Sequence, residues 1–184
     1  MRLFIAIDPG KQVATEVWSA VEKLRDKDYP IRWVSPQGIH LTLKFLGEVD
    51  AGRENEIAGT LDLAVARTHA FDLCIDGFGA FPTSFRPKAV WAGCEASDAL
   101  KELHENIEAR MSKLGFSPDD RPFSPHMTLG RVRRGGRVRN LAGDFEELSG
   151  FRSNSKITSV ELMRSELSSS GAKYSTVHSA RLPT

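Results

Sequence analysis

Residues 32–49 read RWVSPQGIHLTLKFLGEV, and residues 121–132 read RPFSPHMTLGRV. Each stretch passes from a proline-bearing turn into a histidine, with a threonine two places on and apolar residues between and after. On a β-strand, residues i and i+2 point to the same face. His40 and Thr42 therefore project together, as do His126 and Thr128, while Leu41, Leu43, Met127 and Leu129 point oppositely, toward a core. Five histidines and nine threonines occur in 184 residues, so a given histidine has threonine two places on about one time in twenty. Two such hits arise by chance in roughly 2% of similar chains. A lone strand histidine is more often a packing or surface residue than a catalyst; the duplication is what carries the signal.

Outward from the motifs, Leu3, Phe4, Ile5 and Ile7 predict a buried strand closed by Asp8-Pro9-Gly10. Ala14, Val17, Trp18, Val21 and Leu24 recur at three- and four-residue steps, which predicts an amphipathic helix over 11–27 with Pro9 in its first turn. Strands are expected over 31–34 and 39–46. Asp50 is placed to cap a helix carrying Ile57, Leu61 and Val65. Strands over 71–81 and 89–94 follow, then a helix capped by Ser97, with Leu100, Leu103, Ile107, Met111 and Leu114 on one face and Gly115 as its stop. After the strand over 126–132, further strands are expected over 145–151, 157–167 and 174–180. Strands in succession, without strict helix alternation, indicate an α+β protein with mainly antiparallel sheet.

Length fits one domain or a compact two-lobed one. With 40% hydrophobic and 27% charged residues, the composition is that of a soluble globular chain. The net charge of +1 leaves nucleic-acid contact to a local patch, and the densest is RVRRGGRVR at 131–139, whose Gly135-Gly136 implies a loop or hairpin turn. Cys74 and Cys94 form no C-x-x-C and are expected to be buried strand residues in a reducing compartment. The first residues lack the long apolar region of a signal peptide, and no run approaches the ~18 residues of a membrane span, so the cytoplasm is the expected location.

If two similar lobes face each other, the cleft gains two imidazoles and two hydroxyls. That set suits phosphodiester hydrolysis without a metal: a neutral imidazole takes a proton from water, a protonated one gives a proton to the departing oxygen, and the hydroxyls donate to non-bridging phosphate oxygens. A zinc site wants three or four ligands, and no cysteine or carboxylate completes one beside these histidines in sequence.

The chain resembles the RNA 2′,3′-cyclic phosphodiesterases, historically called 2′-5′ RNA ligases, of the 2H phosphoesterase superfamily. The resemblance rests on RLFIAID (2–8), RWVSPQGIHLTLKFLGEV (32–49), FDLCIDGFGAFP (71–82), AVWAGC (89–94), LGFSPDDRPFSPHMTLGRV (114–132) and VELMRSELSSSGAKY (160–174). It implies two pseudo-symmetric lobes of mainly antiparallel sheet with outer helices flanking a central cleft, as a single bilobal domain over 1–184. It also implies hydrolysis of a 2′,3′-cyclic phosphate at an RNA end to a 2′-phosphate. No cofactor is expected, and one compact monomer suffices for the proposed site. His40 would be the proton donor and His126 the proton acceptor. Thr42, Thr128, Arg131 and Phe45 would bind substrate. Reversible 2′-5′ ligation belongs to the same family; without a G-x-x-x-x-G-K-[ST] motif, any joining must reuse the energy of the cyclic phosphate.

Periodicity and resemblance disagree at three positions. Strict alternation puts Arg131 on the face of Met127 and Leu129, unless Gly130 supplies a bulge that re-aims it. It puts Phe45 in the core beside Leu41 and Leu43, where the resemblance gives it a base to stack on. It puts Lys44 on the face of His40 and Thr42, at the cleft or its rim. Arg133, Arg134, Arg137 and Arg139 suit either RNA phosphates or solvent. His69, His104 and His178 lack the motif and receive no role. Two other functions fit the same residues: a phosphodiesterase for a small cyclic nucleotide or cyclic phosphate, and a non-catalytic RNA-binding module. Two intact motifs argue against the second.

Overall fold

The computed structural model describes residues 1–168 and 171–184, so the stretch 160–174 falls partly outside it. The strands are β1 (Arg2–Ile7), β2 (Ile31–Trp33), β3 (Leu41–Glu48), β4 (Phe71–Phe81), β5 (Ala89–Cys94), β6 (His126–Val132), β7 (Arg152–Ile157), β8 (Ser159–Ser168) and β9 (Gly171–Arg181). The helices are α1 (Gly10–Ala20), α2 (Glu22–Arg25), α3 (Glu54–Val65), α4 (Asp98–Lys113) and α5 (Leu141–Glu147).

All the strands join one sheet in the order β7-β4-β5-β6-β3-β1-β8-β9, with β2 added to β6. Each described ladder is antiparallel. This is the expected α+β fold, and its two lobes are four-strand halves: β3, β1, β8 and β9 on one side, β6, β5, β4 and β7 on the other. They meet at the motif strands, where Leu41 pairs with Met127.

The halves are interleaved rather than sequential. β8 and β9, from the end of the chain, complete the lobe that β1 and β3 begin. α4 precedes β6 but packs on α3 and β3, whereas α1 follows β1 but packs near β7. The core is built on this exchange: Leu3, Ile5, Leu41 and Leu43 belong to one lobe and Leu73, Ile75, Met127 and Leu129 to the other, with Ile57 and Leu61 of α3 and Leu103 and Ile107 of α4 in the same cluster. Burying one such side chain fully contributes about 1.5–3 kcal/mol.

Several sequence expectations hold to the residue, including β4, β5, β6 and the Ser97 cap, whose Oγ accepts from the Leu100 N–H at 3.3 Å. Others do not. The helix expected over 11–27 breaks at Val21 into α1 and α2, although Val21 and Leu24 stay buried. Asp50 does not cap α3, which starts at Glu54 behind Arg53; the Asp50 carbonyl instead accepts from the Arg53 N–H at 3.3 Å.

The strand expected over 145–151 is instead α5 and the turn after it. Leu141, Phe145 and Leu148 recur at helical spacing, and buried Asp144 accepts from Tyr29 Oη at 2.6 Å and from Lys27 Nζ. The strand that follows, β7, gives no strand signal in the sequence because RSNSKI is polar. It lies at the sheet edge, burying Ser153 and Ile157, while Ser155 Oγ donates to the Pro9 carbonyl at 2.7 Å. Residues 133–136 form a turn, with the Gly136 N–H on the Arg133 carbonyl at 2.8 Å, but no hairpin follows. Cys74 and Cys94 are strand residues with free thiols, half-buried rather than fully buried. Burial pushes the Cys94 thiol up to about 12. No helix among the described residues is long and apolar enough to cross a membrane.

Candidate active site

The pairing of Leu41 with Met127 fixes the geometry of the motifs. Extended one residue each way, the antiparallel register sets His40 opposite Thr128 and Thr42 opposite His126. All four share the face away from Leu41 and Met127. The two H-x-T units are thus neighbours across the seam of the lobes, related by a local two-fold axis between Leu41 and Met127.

Each imidazole is held in the same way. His40 Nδ1 lies 2.8 Å from the Gly38 carbonyl, and His126 Nδ1 lies 2.7 Å from the Ser124 carbonyl, in each case two residues back in the turn before the strand. A carbonyl only accepts, so Nδ1 carries the proton in both rings, and Nε2 is the ring nitrogen left outside that bond. Aromatic rings fix the ring planes. Tyr174 meets His40 edge-on at 4.9 Å and 79°, and Phe81 meets His126 edge-on at 4.9 Å and 81°. A second ring lies tilted beside each: Phe4 at 4.9 Å from His40, and Trp91 at 6.3 Å from His126. Trp91 fits only because its cross-strand partner is Gly79, where an added Cβ would lie 2.3 Å from the indole.

The duplicated register shift is the feature that sequence alternation misses. Along β1 and β3, Ala6 pairs with Thr42 and Ile5 with Lys44, so Leu43 is an extra residue. Along β5 and β6, Trp91 pairs with Thr128 and Val90 with Gly130, so Leu129 is an extra residue. Both bulges fall three residues after the histidine, and each inverts the faces beyond it.

Phe45 therefore leaves the core for the cleft face. It is 63% exposed, sits opposite Phe4 and has its ring 6.2 Å from that of Phe4. Arg131 is likewise exposed on the face of His126 and Thr128. The bulge that re-aims it is at Leu129, one residue before the expected Gly130. The expectation for Lys44 is overturned: it turns to the opposite face and is 0% exposed. Its Nζ donates to Glu108 Oε1 at 2.7 Å and to the Ser117 carbonyl at 2.9 Å. A lysine so buried needs these partners, since an unpaired buried charge costs several kcal/mol. At the equivalent place in β6, Gly130 makes room for β2; an added Cβ would lie 2.6 Å from Ile31 Cγ2.

Burial pushes the His40 imidazole below its ordinary value, partly offset by the Gly38 carbonyl and by Asp8. The other histidines lie elsewhere. His178 Nε2 is 2.8 Å from Asp62 Oδ1. His104 stacks on Phe123 at 3.9 Å and shares with Glu108 and Asp119 a cluster of ligand-type atoms lying within 4.8 Å of one another. Lys44 already occupies the Glu108 carboxylate of that cluster.

Comparison with known proteins gives this geometry a family. The model of the 2′-5′ RNA ligase superfamily matches residues 13–168. A protein named RNA 2′,3′-cyclic phosphodiesterase from Thermotoga maritima is 40% identical over 133 residues, 72% of this chain and 71% of that one. Its namesake from Methanothermobacter thermautotrophicus is 30% identical over 183 residues, 99% of each chain. Among solved structures, TT0787 of Thermus thermophilus aligns with a TM-score of 0.83 at 27% identity, covering 99% of this chain and 98% of that one. Escherichia coli LigT complexed with 3′-AMP aligns with a TM-score of 0.78 at 25% identity, covering 100% and 98%. By sequence and by fold, the chain belongs to the 2′-5′ RNA ligase superfamily.

Proposed function

We propose that this protein is an RNA 2′,3′-cyclic phosphodiesterase, hydrolysing cyclic phosphate ends to 2′-phosphomonoesters by a metal-independent two-histidine mechanism. The observation that carries the proposal is the pair of imidazoles on one face, each locked through Nδ1 with Nε2 left to react. The relatives' names supply the substrate class.

In the hydrolytic direction His126 Nε2 accepts a proton from water as the water oxygen bonds to phosphorus. The P–O3′ bond breaks, and His40 Nε2 gives its proton to the departing O3′. Thr42 and Thr128, each opposite a histidine, donate to the non-bridging oxygens, where charge grows in the transition state. Arg131 neutralises the same phosphate, and Phe45 offers its exposed ring to the terminal base. The lowered value of His40 favours its neutral form in the free protein, and the bound phosphodiester anion restores the proton it must donate. Run with an RNA 5′-hydroxyl in place of water, the same steps make a 2′-5′ bond, drawing on the energy of the cyclic phosphate and on no nucleotide cofactor.

Residues 1–184 act in this reading as one bilobal catalytic unit and as a monomer, since one continuous sheet carries both motifs. The cytoplasm suits an RNA substrate and two free thiols. The test is product mapping on RNA ended by a 2′,3′-cyclic phosphate, with chelator present. A 2′-phosphate formed at an undiminished rate is expected; a 3′-phosphate, or activity that returns only with added metal, overturns the mechanism.

A further inference from the structure

β3 follows β6 only briefly. Their recorded pairing is Leu41 with Met127, and beyond it β2 takes over the same edge of β6, pairing Ile31 with Val132, Arg32 with Arg131 and Trp33 with Gly130. Directly opposed residues of an antiparallel pair point to the same face. The bulge at Leu129 places Arg131 on the cleft face, so Arg32 projects from that face as well. The neighbours agree: Trp33 and Ile31 pack on the core side, against the position of the missing Gly130 side chain, and Arg32 is exposed. Arg32 therefore stands on the first-lobe side of Arg131, in the cleft between the halves.

Two arginines face to face on neighbouring strands repel each other, and like charges so placed destabilise a sheet. Among the described residues neither guanidinium makes an ion pair or a side-chain hydrogen bond. Lys88, whose carbonyl accepts from the Val132 N–H at 3.0 Å, adds a third exposed cation at this end of β6. Such an arrangement is suited to an anion brought by a ligand.

Position decides which anion. Arg131 is five residues from His126, or four ladder steps once the bulge is removed, which is about 13 Å along the strand. One arginine at that distance can turn back to the scissile phosphate. A second, on the first-lobe side of the pair, is placed for the next charge along a single-stranded substrate. Resting on the cyclic phosphodiesterase reading above, we infer that Arg32 binds the phosphodiester on the 5′ side of the terminal nucleotide, so that the site prefers oligonucleotide ends to cyclic mononucleotides.

The test compares the wild type, Arg32→Gln and Arg32→Lys on a trinucleotide ended by a 2′,3′-cyclic phosphate and on a 2′,3′-cyclic mononucleotide, which lacks the second phosphate. For Arg32→Gln we expect kcat/KM on the trinucleotide to fall about tenfold, as for loss of one charged hydrogen-bonded contact. On the mononucleotide it should hold within about twofold, and Arg32→Lys should recover part of the loss on the trinucleotide. The dependence of trinucleotide affinity on salt should weaken by about 0.7 in log–log slope. The thermal midpoint of Arg32→Gln should not fall, because a repulsion is removed. Equal losses on both substrates, or no loss on the trinucleotide, overturn the inference while leaving the activity in place. Fluorescence anisotropy with a labelled trinucleotide 3′-phosphate separates the two readings. A wild type that turns over neither substrate yet binds this probe about tenfold more tightly than Arg32→Gln contradicts the cyclic phosphodiesterase and keeps the phosphate contact.

Discussion

The two motif strands are alike up to the third residue past the histidine and different from the fourth. Both fix the imidazole through Nδ1 on a carbonyl two residues back, both set an aromatic edge against it at 4.9 Å, and both bulge at the following leucine. Beyond the bulge, β3 carries Lys44 and Phe45 where β6 carries Gly130 and Arg131. The shared part orients both imidazoles alike through Nδ1. The divergent part divides labour: one strand turns a ring to the cleft and the other a guanidinium, while the residue between them is a buried cation in one lobe and a gap filled by β2 in the other.

If the shared part does the chemistry, removing either imidazole has the largest effect. His40→Ala and His126→Ala should each lower kcat by about 10²–10⁴-fold, and the double variant should lose less than the product of the two, because acid and base act as a unit. An activated aryl phosphodiester needs no acid for its leaving group; on it His40→Ala should lose less than His126→Ala, and the reverse order would exchange the roles.

The next effect falls on stability. Lys44→Ala leaves the half-buried Glu108 carboxylate without its lysine, with only the His104 ring nearby at 4.0 Å, and should cost about 3 kcal/mol in a denaturant titration. Lys44→Met combined with Glu108→Leu should restore most of it. If the single variant is as stable as the wild type, the buried pair is not the anchor of the divergent fourth position.

Phe45→Ala should leave stability within about 0.5 kcal/mol, as the ring is exposed. It should weaken binding of a base-bearing end by about 1–3 kcal/mol, read as a higher KM at similar kcat. Unchanged KM with lost stability would return Phe45 to the core role that alternation assigns it.

The smallest effect is on pH dependence. Burial lowers both His40 and His104 in the folded state, so between the folded value and the unfolded value near 6.5 the unfolded chain binds more protons. Their contribution is fully present above about pH 6.5 and is lost as pH falls toward the folded values. The urea midpoint should therefore drop on acidification below that point, and His40→Gln should flatten the slope. In catalysis, the alkaline limb should lie at higher pH in kcat than in kcat/KM, because bound phosphate raises His40.

The fold class and the motif strands were legible in the sequence because they rest on period-two patterning and on turn residues that flank them. His40, Thr42, His126 and Thr128 stand out in the sequence because their motif is duplicated, and the register of β3 on β6 sets them on one face. Phe45, Arg131 and Lys44 were misplaced by alternation, since a bulge inverts every face beyond it and leucine, unlike glycine, gives no local sign of one. The resemblance assigned Phe45 and Arg131 substrate roles that fit the faces they occupy. The few apolar residues of α5 are compatible with either period, so the sequence suggests a strand there, and β7 gives no signal because an edge strand is free to be polar. Arg32 carries no motif at all; only the register of β2 on β6 brings it beside Arg131.

The central claim is that two imidazoles, one from each lobe, act together on a cyclic phosphate. It is tested most directly by single-turnover hydrolysis of an RNA 2′,3′-cyclic phosphate end, in chelator, by the wild type, His40→Ala and His126→Ala. The account predicts rapid conversion by the wild type and a loss of about 10²-fold or more in each variant, with all three folded by circular dichroism. Full turnover in either variant would contradict it.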